Sequence, residues 1–252
     1  MDEVKLEKGE ILCDLERKGY KIIQSKDTFM FGIDSVLLSH FAKHKKTDRV
    51  IDLGTGTGVI PILMEARYGG KEYVGIDIIE KSANMASRSA MLNGLDKKIH
   101  FEHCDLKTYY KKVDKKFDVV TCNPPYMVVS DNSKNGKIIT KNSNSNLEIA
   151  RHEICATIDD IIKAANRLLK TKGKMFIVYK PDRLVSLMSA MRKNNIEPKR
   201  IRFVQSYSDS EASMVLVEGI KDAKESAIIE KPLIIYEKQN KYTKEVEDIY
   251  NK

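Results

Sequence analysis

The chain has 252 residues, a length that suits one large domain or one domain with a small appendage, and its 42% hydrophobic and 32% charged residues are typical of a globular rather than a disordered or fibrous chain. The longest apolar runs are too short to cross a membrane, and Met1 to Glu10 lack the apolar core of a signal peptide, so we expect a cytoplasmic protein. The formal net charge of +8 makes nucleic acid a reasonable partner, although lysine-rich surfaces also occur in proteins that bind none.

The predicted elements alternate in the order of a parallel sheet. An amphipathic segment, Phe29–Ala42, predicts a helix that Asp34 caps and that covers the sheet. From residue 49 onward, short apolar runs alternate with amphipathic segments, as in βαβ units. The predicted strands are Arg49–Leu53, Glu72–Ile78, Ile99–Glu102, Phe117–Cys122, Lys174–Tyr179, Ile201–Gln205 and Ala212–Gly219. The predicted helices are Val59–Arg67, Glu80–Leu92, Ile158–Leu169 and Asp182–Asn194.

This pattern divides the chain into three parts: a cover segment at 1–48, a central domain at 49–220 and a charged tail at 221–252. Ser130–Asn146 is rich in Ser, Asn and Lys and predicts a mobile loop. The tail is expected to lie on the surface, with Pro232–Tyr236 as its one apolar anchor. No two of the four cysteines have C-x-x-C spacing, so we expect neither structural zinc nor a disulfide framework.

A glycine-rich turn, Gly54 to Gly58, follows the first predicted strand and opens a helix. Its glycines let the backbone approach a ligand closely, and the helix start offers unpaired N–H groups. The turn departs from the dinucleotide pattern G-x-G-x-x-G, because the third glycine falls one position early and Val59 takes its place. Asp52, at the end of the strand, would repel a pyrophosphate and suit a cationic amino group.

Carboxylates also follow the next two strands. Asp77 ends the second predicted strand, where its two oxygens could accept hydrogen bonds from ribose hydroxyls. The alternative is that it caps the next helix. Asp105, just past the third strand, could accept a hydrogen bond from an adenine amine or could be an ordinary loop aspartate.

The most specific motif is Asn123-Pro124-Pro125-Tyr126 at the end of the fourth predicted strand. Two consecutive prolines fix the backbone and remove two N–H donors. The Asn123 side-chain oxygen and the Pro124 carbonyl could then accept both protons of a planar NH₂ group and free its nitrogen lone pair for attack. Tyr126 would provide a face for stacking. A merely structural turn would require neither the Asn nor the aromatic residue.

With these motifs the chain resembles the class I S-adenosylmethionine-dependent methyltransferases, within them the amino-methylating branch that carries N-P-P-Y. Further segments are similar to the bacterial tRNA1(Val) adenine-37 N6-methyltransferases, namely Phe31–Leu38, Ala150–Glu153, Pro232-Leu233 with Tyr236, and Tyr242-Thr243. The resemblance implies an α/β fold with a Rossmann-like, seven-stranded sheet. That sheet would be mostly parallel with a final antiparallel strand and helices on both faces, and 49–220 would be the catalytic domain.

The resemblance also implies a role for each motif. The methionine part of S-adenosylmethionine would be held by Asp52, Gly54, Gly56 and Gly58. The ribose would be bound by Asp77 with Ile78, and the adenine by Asp105 with Leu106. The target base would be held by Asn123, Pro124, Pro125 and Tyr126, with Asn123 also beside the cofactor. The implied partner is tRNA, bound at the anticodon loop by a monomer, with no metal and no membrane.

The residues that would contact RNA are less defined. Candidates for phosphate contacts are Lys134, Lys137, Lys141, Lys199, Arg200 and Arg202. Arg151 and His152 suit either a phosphate or base contact or a helix cap. Three alternatives remain: a glutamine methyltransferase of a release factor, whose planar amide would fit the same acceptors; a non-catalytic RNA-binding module; and a dehydrogenase, which the glycine spacing disfavours.

Overall fold

A mostly parallel sheet forms the centre of the protein, whose computed structural model describes residues 4–26, 28, 30–124 and 156–250. The long strands are β1 (Glu10–Asp14), β2 (Lys21–Ser25), β3 (Arg49–Leu53), β4 (Glu72–Asp77), β5 (Ile99–His103), β6 (Phe117–Cys122), β7 (Leu169–Tyr179), β8 (Ile196–Gln205) and β9 (Ala212–Lys221). The short strands are β10 (Ile228–Ile229), β11 (Leu233–Ile234), β12 (Tyr236–Lys238) and β13 (Lys241–Tyr242).

The central sheet has the order β10-β8-β9-β7-β6-β3-β4-β5, and β11 also pairs with β8. The strands from β7 through β6, β3 and β4 to β5 are mutually parallel. Strand β9 is antiparallel to both of its neighbours, β7 and β8. The predicted fold class is therefore confirmed: the seven expected strands are present and the last of them, β9, is antiparallel. The short strands β10 and β11 extend the edge.

Helices cover both faces of the sheet. They are α1 (Ile33–Phe41), α2 (Val59–Tyr68), α3 (Glu80–Leu92), α4 (Leu106–Tyr109), α5 (Ile158–Leu168), α6 (Leu184–Lys193) and α7 (Lys244–Tyr250). Because side chains alternate along a strand, Val50 packs into one core and its neighbour Ile51 into the other. The first core joins β3 to α1, α2 and α7, and the second joins it to α5 and α6.

Several element boundaries follow directly from the sequence. Strands β3 and β6 and helix α3 begin and end at the predicted residues. Thr157 begins α5 with a capping box, in which it and Asp160 satisfy each other's backbone N–H groups. The segment predicted as the helix Asp182–Asn194 is instead a 3₁₀ turn, Pro181–Arg183, followed by α6. The expected loop Ser130–Asn146 lies outside the described residues.

The segment before β3 covers the sheet through α1, as expected, but two details differ. Asp34 was predicted to cap α1, whereas the N-cap is Gly32 and Asp34 is inside the first turn. In addition, β1 and β2 form an antiparallel hairpin that the sequence analysis missed. Ile22 and Ile23 of this hairpin are fully buried.

The C-terminal segment is packed into the fold rather than lying on the surface with a single anchor. Leu233 and Ile235 are buried as expected, but Val246 and Ile249 of α7 are buried in the same core. Tyr242 stacks between Tyr236 and Tyr250, with ring centroids 5.2 Å and 5.6 Å away. The prediction of a surface tail is therefore wrong, because α7 supplies apolar side chains that complete the core.

Nowhere in 4–26, 30–124 or 156–250 is there a helix with the length and apolar character needed to cross a membrane.

Candidate functional site

The candidate site lies where the carboxyl ends of β3, β4 and β6 meet. Leu53, at the end of β3, pairs with Ile76 of β4 on one side and with Cys122 of β6 on the other. After β3 the chain continues to β4 on one side of β3, and it later returns to the other side of β3 as β6. The strand order therefore reverses at β3. In open α/β sheets such a reversal creates a crevice that binds ligands.

The glycine-rich turn forms one wall of this crevice. Gly54 and Gly56 have φ values of +68° and +55°, a left-handed conformation that disfavours other residues. A Cβ atom at either position would meet nothing within 4 Å, so the backbone there borders open space. The turn is held in place by N–H groups of Gly54 and Thr55, which both donate to the Ile76 carbonyl. The exposed backbone can therefore approach a ligand.

Gly58 has a different role from the other two glycines. A Cβ atom at this position would lie 2.5 Å from Cζ of Phe101 and 3.0 Å from Cβ of Ala86. Its φ of +85° also favours glycine. Gly58 therefore allows α2 to start close against the aromatic ring and α3, and it borders packed side chains rather than open space.

Asp52 is fully buried beneath the turn. Its Oδ1 accepts a 2.6 Å hydrogen bond from the Thr121 hydroxyl. Among the described residues, no group meets hydrogen-bond geometry with Oδ2 or with the buried Thr55 hydroxyl, although this hydroxyl lies close enough to the carboxyl to favour its ionised form. Burial raises the pKa of the Asp52 carboxyl to about 7, and the Thr121 and Thr55 hydroxyls oppose the shift. Since the side chain has no exposed surface, this conformation gives it no direct access to a ligand amino group.

Asp77 ties the turn to the end of β4. Its Oδ2 accepts from the Gly56 N–H at 2.7 Å and its Oδ1 from the Ile79 N–H at 2.8 Å. Each oxygen retains a lone pair for a further donor. Burial raises the pKa of the Asp77 carboxyl, and the two backbone N–H groups oppose that shift. Asp77 does not cap α3, whose N-cap is Ile79 without a side-chain cap hydrogen bond. Its two oxygens instead hold the backbone between the turn and α3 and can each accept one further hydrogen bond.

The remaining predicted cofactor residues lie after β4 and β5. Asp105 is the N-cap of α4, and its Oδ1 accepts from the Lys107 N–H at 2.8 Å. Its side chain is 34% exposed, so the other oxygen is open to solvent and near the Lys107 ammonium at 3.8 Å. Ile78 and Leu106 are half-buried. Asp105 therefore has a structural role as the N-cap of α4, and this role leaves its second oxygen able to accept from a ligand.

Asn123 directly follows β6, on the opposite side of the crevice from β4. Its Nδ2 donates to Oδ2 of Asp34 at 2.9 Å and to the Ser35 hydroxyl at 3.0 Å. None of the described residues donates to its side-chain oxygen. The amide therefore has both of its protons engaged by α1 while its oxygen is available as an acceptor. Pro124 is buried beside it, and Pro125 and Tyr126 lie outside the described residues.

Three side chains of this arrangement were missed as site residues from sequence: Asp34, Ser35 and Thr121. Asp34 was assigned only a local capping role, and it lies 89 residues before Asn123 in the chain. The similarity of Phe31–Leu38 to the tRNA1(Val) methyltransferases is the signal in the sequence that points to Asp34 and Ser35. The spacing of residues along the sequence does not indicate the contact between Asp34 and Asn123.

Three candidate RNA contacts are engaged within the chain. Arg200 forms ion pairs with Glu218 and Glu230, and its guanidinium lies over the Phe41 ring. Arg202 pairs with Glu245 at 2.7 Å and is only 15% exposed. These two arginines connect the sheet edge to the C-terminal segment, so they are poor candidates for phosphate contacts. Lys199 also donates to Ser226. Other candidates lie outside the described residues: Lys134, Lys137, Lys141, Arg151 and His152.

The residues of the crevice fit S-adenosylmethionine. Gly54 and Gly56 leave room for an extended ligand along the turn. Asp77 carries acceptors suited to ribose hydroxyls, and the third glycine of the turn, Gly58, falls one position earlier than in the dinucleotide pattern.

Several known proteins that are similar to this chain are described as methyltransferases. A tRNA1(Val) (adenine(37)-N6)-methyltransferase from Parabacteroides distasonis is 24% identical over 201 residues, which cover 80% of this chain and 81% of that protein. A Methanocaldococcus jannaschii protein described as an N5-glutamine methyltransferase is 34% identical over 120 residues, covering 48% and 58%. The crystal structure of a predicted O-methyltransferase from Agrobacterium tumefaciens has the same fold, with a TM-score of 0.69 at 20% identity, covering 86% and 95%.

A family model described as a methyltransferase domain matches residues 44–243. The resemblance stated from sequence is thereby confirmed, and the expected cofactor, S-adenosylmethionine, agrees with the match and with the crevice. The dehydrogenase alternative does not agree with it. The chain belongs to the methyltransferase domain family.

Proposed function

We propose that this protein transfers a methyl group from S-adenosylmethionine to N6 of an adenine in tRNA, with adenosine 37 of tRNA1(Val) as the target. The observation that carries the proposal is the Asn123 amide, whose oxygen is left as an acceptor at the crevice while its nitrogen is held by α1. The choice of tRNA is supported by the similarity to a tRNA1(Val) methyltransferase across most of both chains.

The cofactor is proposed to lie along the carboxyl ends of β3, β4 and β5. The turn at Gly54 and Gly56 would hold its methionine part, Asp77 with Ile78 its ribose, and the free oxygen of Asp105 with Leu106 its adenine. Gly58 would act indirectly, by packing α2 against Phe101. When bound, S-adenosylmethionine supplies a methyl group that its sulfonium already makes electrophilic.

The residues of this chain would contribute position and charge rather than a strong base. The Asn123 oxygen and the Pro124 carbonyl would each accept a hydrogen bond from the target NH₂ group, which directs the nitrogen lone pair out of the base plane. Once methylated, the nitrogen would release one of its protons to solvent. An amine held in that geometry reacts in an effectively unimolecular step, because its orientation is already fixed when the methyl group is transferred. Acceptors fixed in advance also stabilise the positive charge that develops on the nitrogen. Tyr126 is proposed to stack on the base.

A tRNA substrate suits this site because a base in the anticodon loop is partly unstacked already and turns outward at less cost than a base in a duplex. The net charge of +8 favours a polyanionic partner. The proposal places the reaction in the cytoplasm, with the tRNA bound by a monomer.

The test is incubation of the protein with isotope-labelled S-adenosylmethionine and total tRNA, followed by mass spectrometry of the nucleosides and of nuclease fragments. Labelled N6-methyladenosine in an anticodon-loop fragment is the expected product. Label in another nucleoside, or in none, contradicts the proposal.

A second candidate is methylation of a glutamine side chain in a protein. It is favoured by the relative described as an N5-glutamine methyltransferase, which is 34% identical over 120 residues. A glutamine amide is also a planar NH₂ group and would meet the same two acceptors. An arm of the assay with a release factor in place of tRNA decides between them, because label in the protein and not in tRNA supports the second candidate.

A further inference from the structure

Asp34 and Asn123 link the first helix to the end of β6. Asp34 lies in the first turn of α1 and is 8% exposed, and its Oδ2 accepts from Nδ2 of Asn123 at 2.9 Å. Its Oδ1 accepts from the Ser35 N–H at 2.9 Å. The carboxylate is therefore held by its own helix at one oxygen and directed at the Asn123 amide with the other.

This contact determines which end of the amide faces the crevice. An ionised carboxylate only accepts hydrogen bonds, so it can pair with the NH₂ end of an amide but not with its oxygen. The Ser35 hydroxyl, 3.0 Å from the same nitrogen, can donate or accept and would tolerate either orientation. Of these two partners, Asp34 alone discriminates between the two orientations of Asn123.

We propose that Asp34 is a positioning residue for methyl transfer, which keeps the Asn123 oxygen turned towards the amine of the substrate. This inference rests on the proposed function of Asn123. In the flipped orientation the Asn123 NH₂ group would face the substrate NH₂ group, donor against donor, and the amine could not be held. Asp34 itself has no contact with substrate in this arrangement.

Gly32 provides the space that this contact needs. A Cβ atom at Gly32 would lie 2.9 Å from Oδ1 of Asp34, while its φ of −115° is accessible to any residue. Gly32→Ala should therefore displace the Asp34 carboxylate without straining the backbone. The variant perturbs the contact while both of its partners remain in the chain.

The first arm of the test is a ¹⁵N–¹H correlation spectrum of the free protein. The Asn123 side-chain pair is assigned by its disappearance in Asn123→Ala. We expect this pair to be displaced from the free-asparagine position in wild type and to move towards it in Asp34→Ala and Gly32→Ala. Ser39→Ala is the control, because Ser39 is buried in the same helix but its hydroxyl contacts Val36 and Arg67. A pair with the same shifts in wild type and Asp34→Ala overturns the inference.

The second arm measures kcat on tRNA together with affinity for S-adenosylhomocysteine. We expect Asp34→Ala to lower kcat at least tenfold, the loss for one charge-assisted hydrogen bond, with cofactor affinity within about threefold of wild type. Asp34→Asn should be intermediate, because an amide can present either its oxygen or its NH₂ group to Asn123. A kcat within twofold of wild type in Asp34→Ala, or an equal loss in Ser39→Ala, overturns the inference.

The two arms separate the inference from the function on which it rests. The spectroscopic arm needs no substrate and remains decisive if wild-type protein methylates no tRNA. A displaced Asn123 pair together with an inactive wild type would support the orientation of the amide and contradict only the proposed function.

Discussion

The hydroxyl of Thr121 donates a 2.6 Å hydrogen bond to Oδ1 of Asp52, and the two residues pair directly across β6 and β3. Both side chains are fully buried. The bond therefore ties together the two strands whose ends carry Asn123 and the glycine-rich turn. Burial makes the Asp52 carboxyl costly to ionise, and the bond from Thr121 opposes that effect.

The Asp52→Asn variant should reveal this cost as a function of pH. The folded-state pKa of about 7 lies above the ordinary value of 3.8, so the stability contributed by the protonated carboxyl is fully present below pH 3.8 and is lost as the pH rises through 7. The variant does not titrate, so its free energy of unfolding should rise relative to wild type up to about pH 7 and then level off. One pKa unit is about 1.4 kcal/mol, so the total rise in this free energy relative to wild type is on the order of a few kcal/mol. Urea denaturation of both proteins from pH 5 to 8 measures the rise. A difference between the two that stays constant over this range contradicts the raised pKa of Asp52.

Much of the central sheet could be predicted because its signals are local. The apolar run at Arg49–Leu53 defines β3 by its hydrophobicity. Helix α3 ends by turn chemistry, because its C-cap Asn93 is followed by Gly94 with a φ of +67°. The glycine-rich turn and Asn123 both follow parallel strands, and the carboxyl ends of parallel strands lie on the same side of a sheet. The order of the elements was therefore enough to predict that the two lie close together.

The parts that could not be predicted depend on contacts between distant segments. Asp34 has an ordinary local role available to it, as a helix cap, and only the folded chain brings it to Asn123. The C-terminal segment is rich in charge, and its tyrosines become a stack only when Tyr242 is held between Tyr236 and Tyr250. Local composition describes such a segment as solvated surface.

Two glycines of the same turn provide a matched pair of variants. Gly54→Ala places its Cβ in open space and should lose only the cost of a left-handed residue, about 1–2 kcal/mol of unfolding free energy. Gly58→Ala adds overpacking against Phe101 and should lose about 2–5 kcal/mol in total. Urea denaturation of both variants gives the comparison. Equal losses would mean that Gly58 is not required for packing.

Replacement of Asp77 by alanine should weaken binding of S-adenosylhomocysteine at least tenfold. The variant loses acceptors proposed for two ribose hydroxyls, each about 1.5–3 kcal/mol, and releases the Gly56 N–H that positions the turn. Isothermal titration calorimetry measures the affinity, with circular dichroism as the control for folding. An affinity equal to that of wild type would remove Asp77 from the cofactor site.

Binding of tRNA should depend steeply on salt. About three to six phosphate contacts would give a slope of log affinity against log salt of roughly −2 to −5, at about −0.7 per phosphate on a single strand. Joint replacement of Lys134, Lys137 and Lys141 by serine should reduce the slope by about 2 in magnitude. Arg202→Gln should leave it unchanged, because Arg202 is paired with Glu245. A flat salt dependence would contradict tRNA as the partner.

Methyl transfer by Asn123→Ala in a single turnover tests the role of the Asn123 amide most directly. We expect transfer to tRNA to be abolished while affinity for S-adenosylhomocysteine stays within about threefold of wild type, well below the tenfold step of 1.4 kcal/mol. The reason is that Asn123 holds the amine of the target and not the methyl donor. Transfer at a rate close to that of wild type would contradict the account, because the turn after β6 would then be structural only.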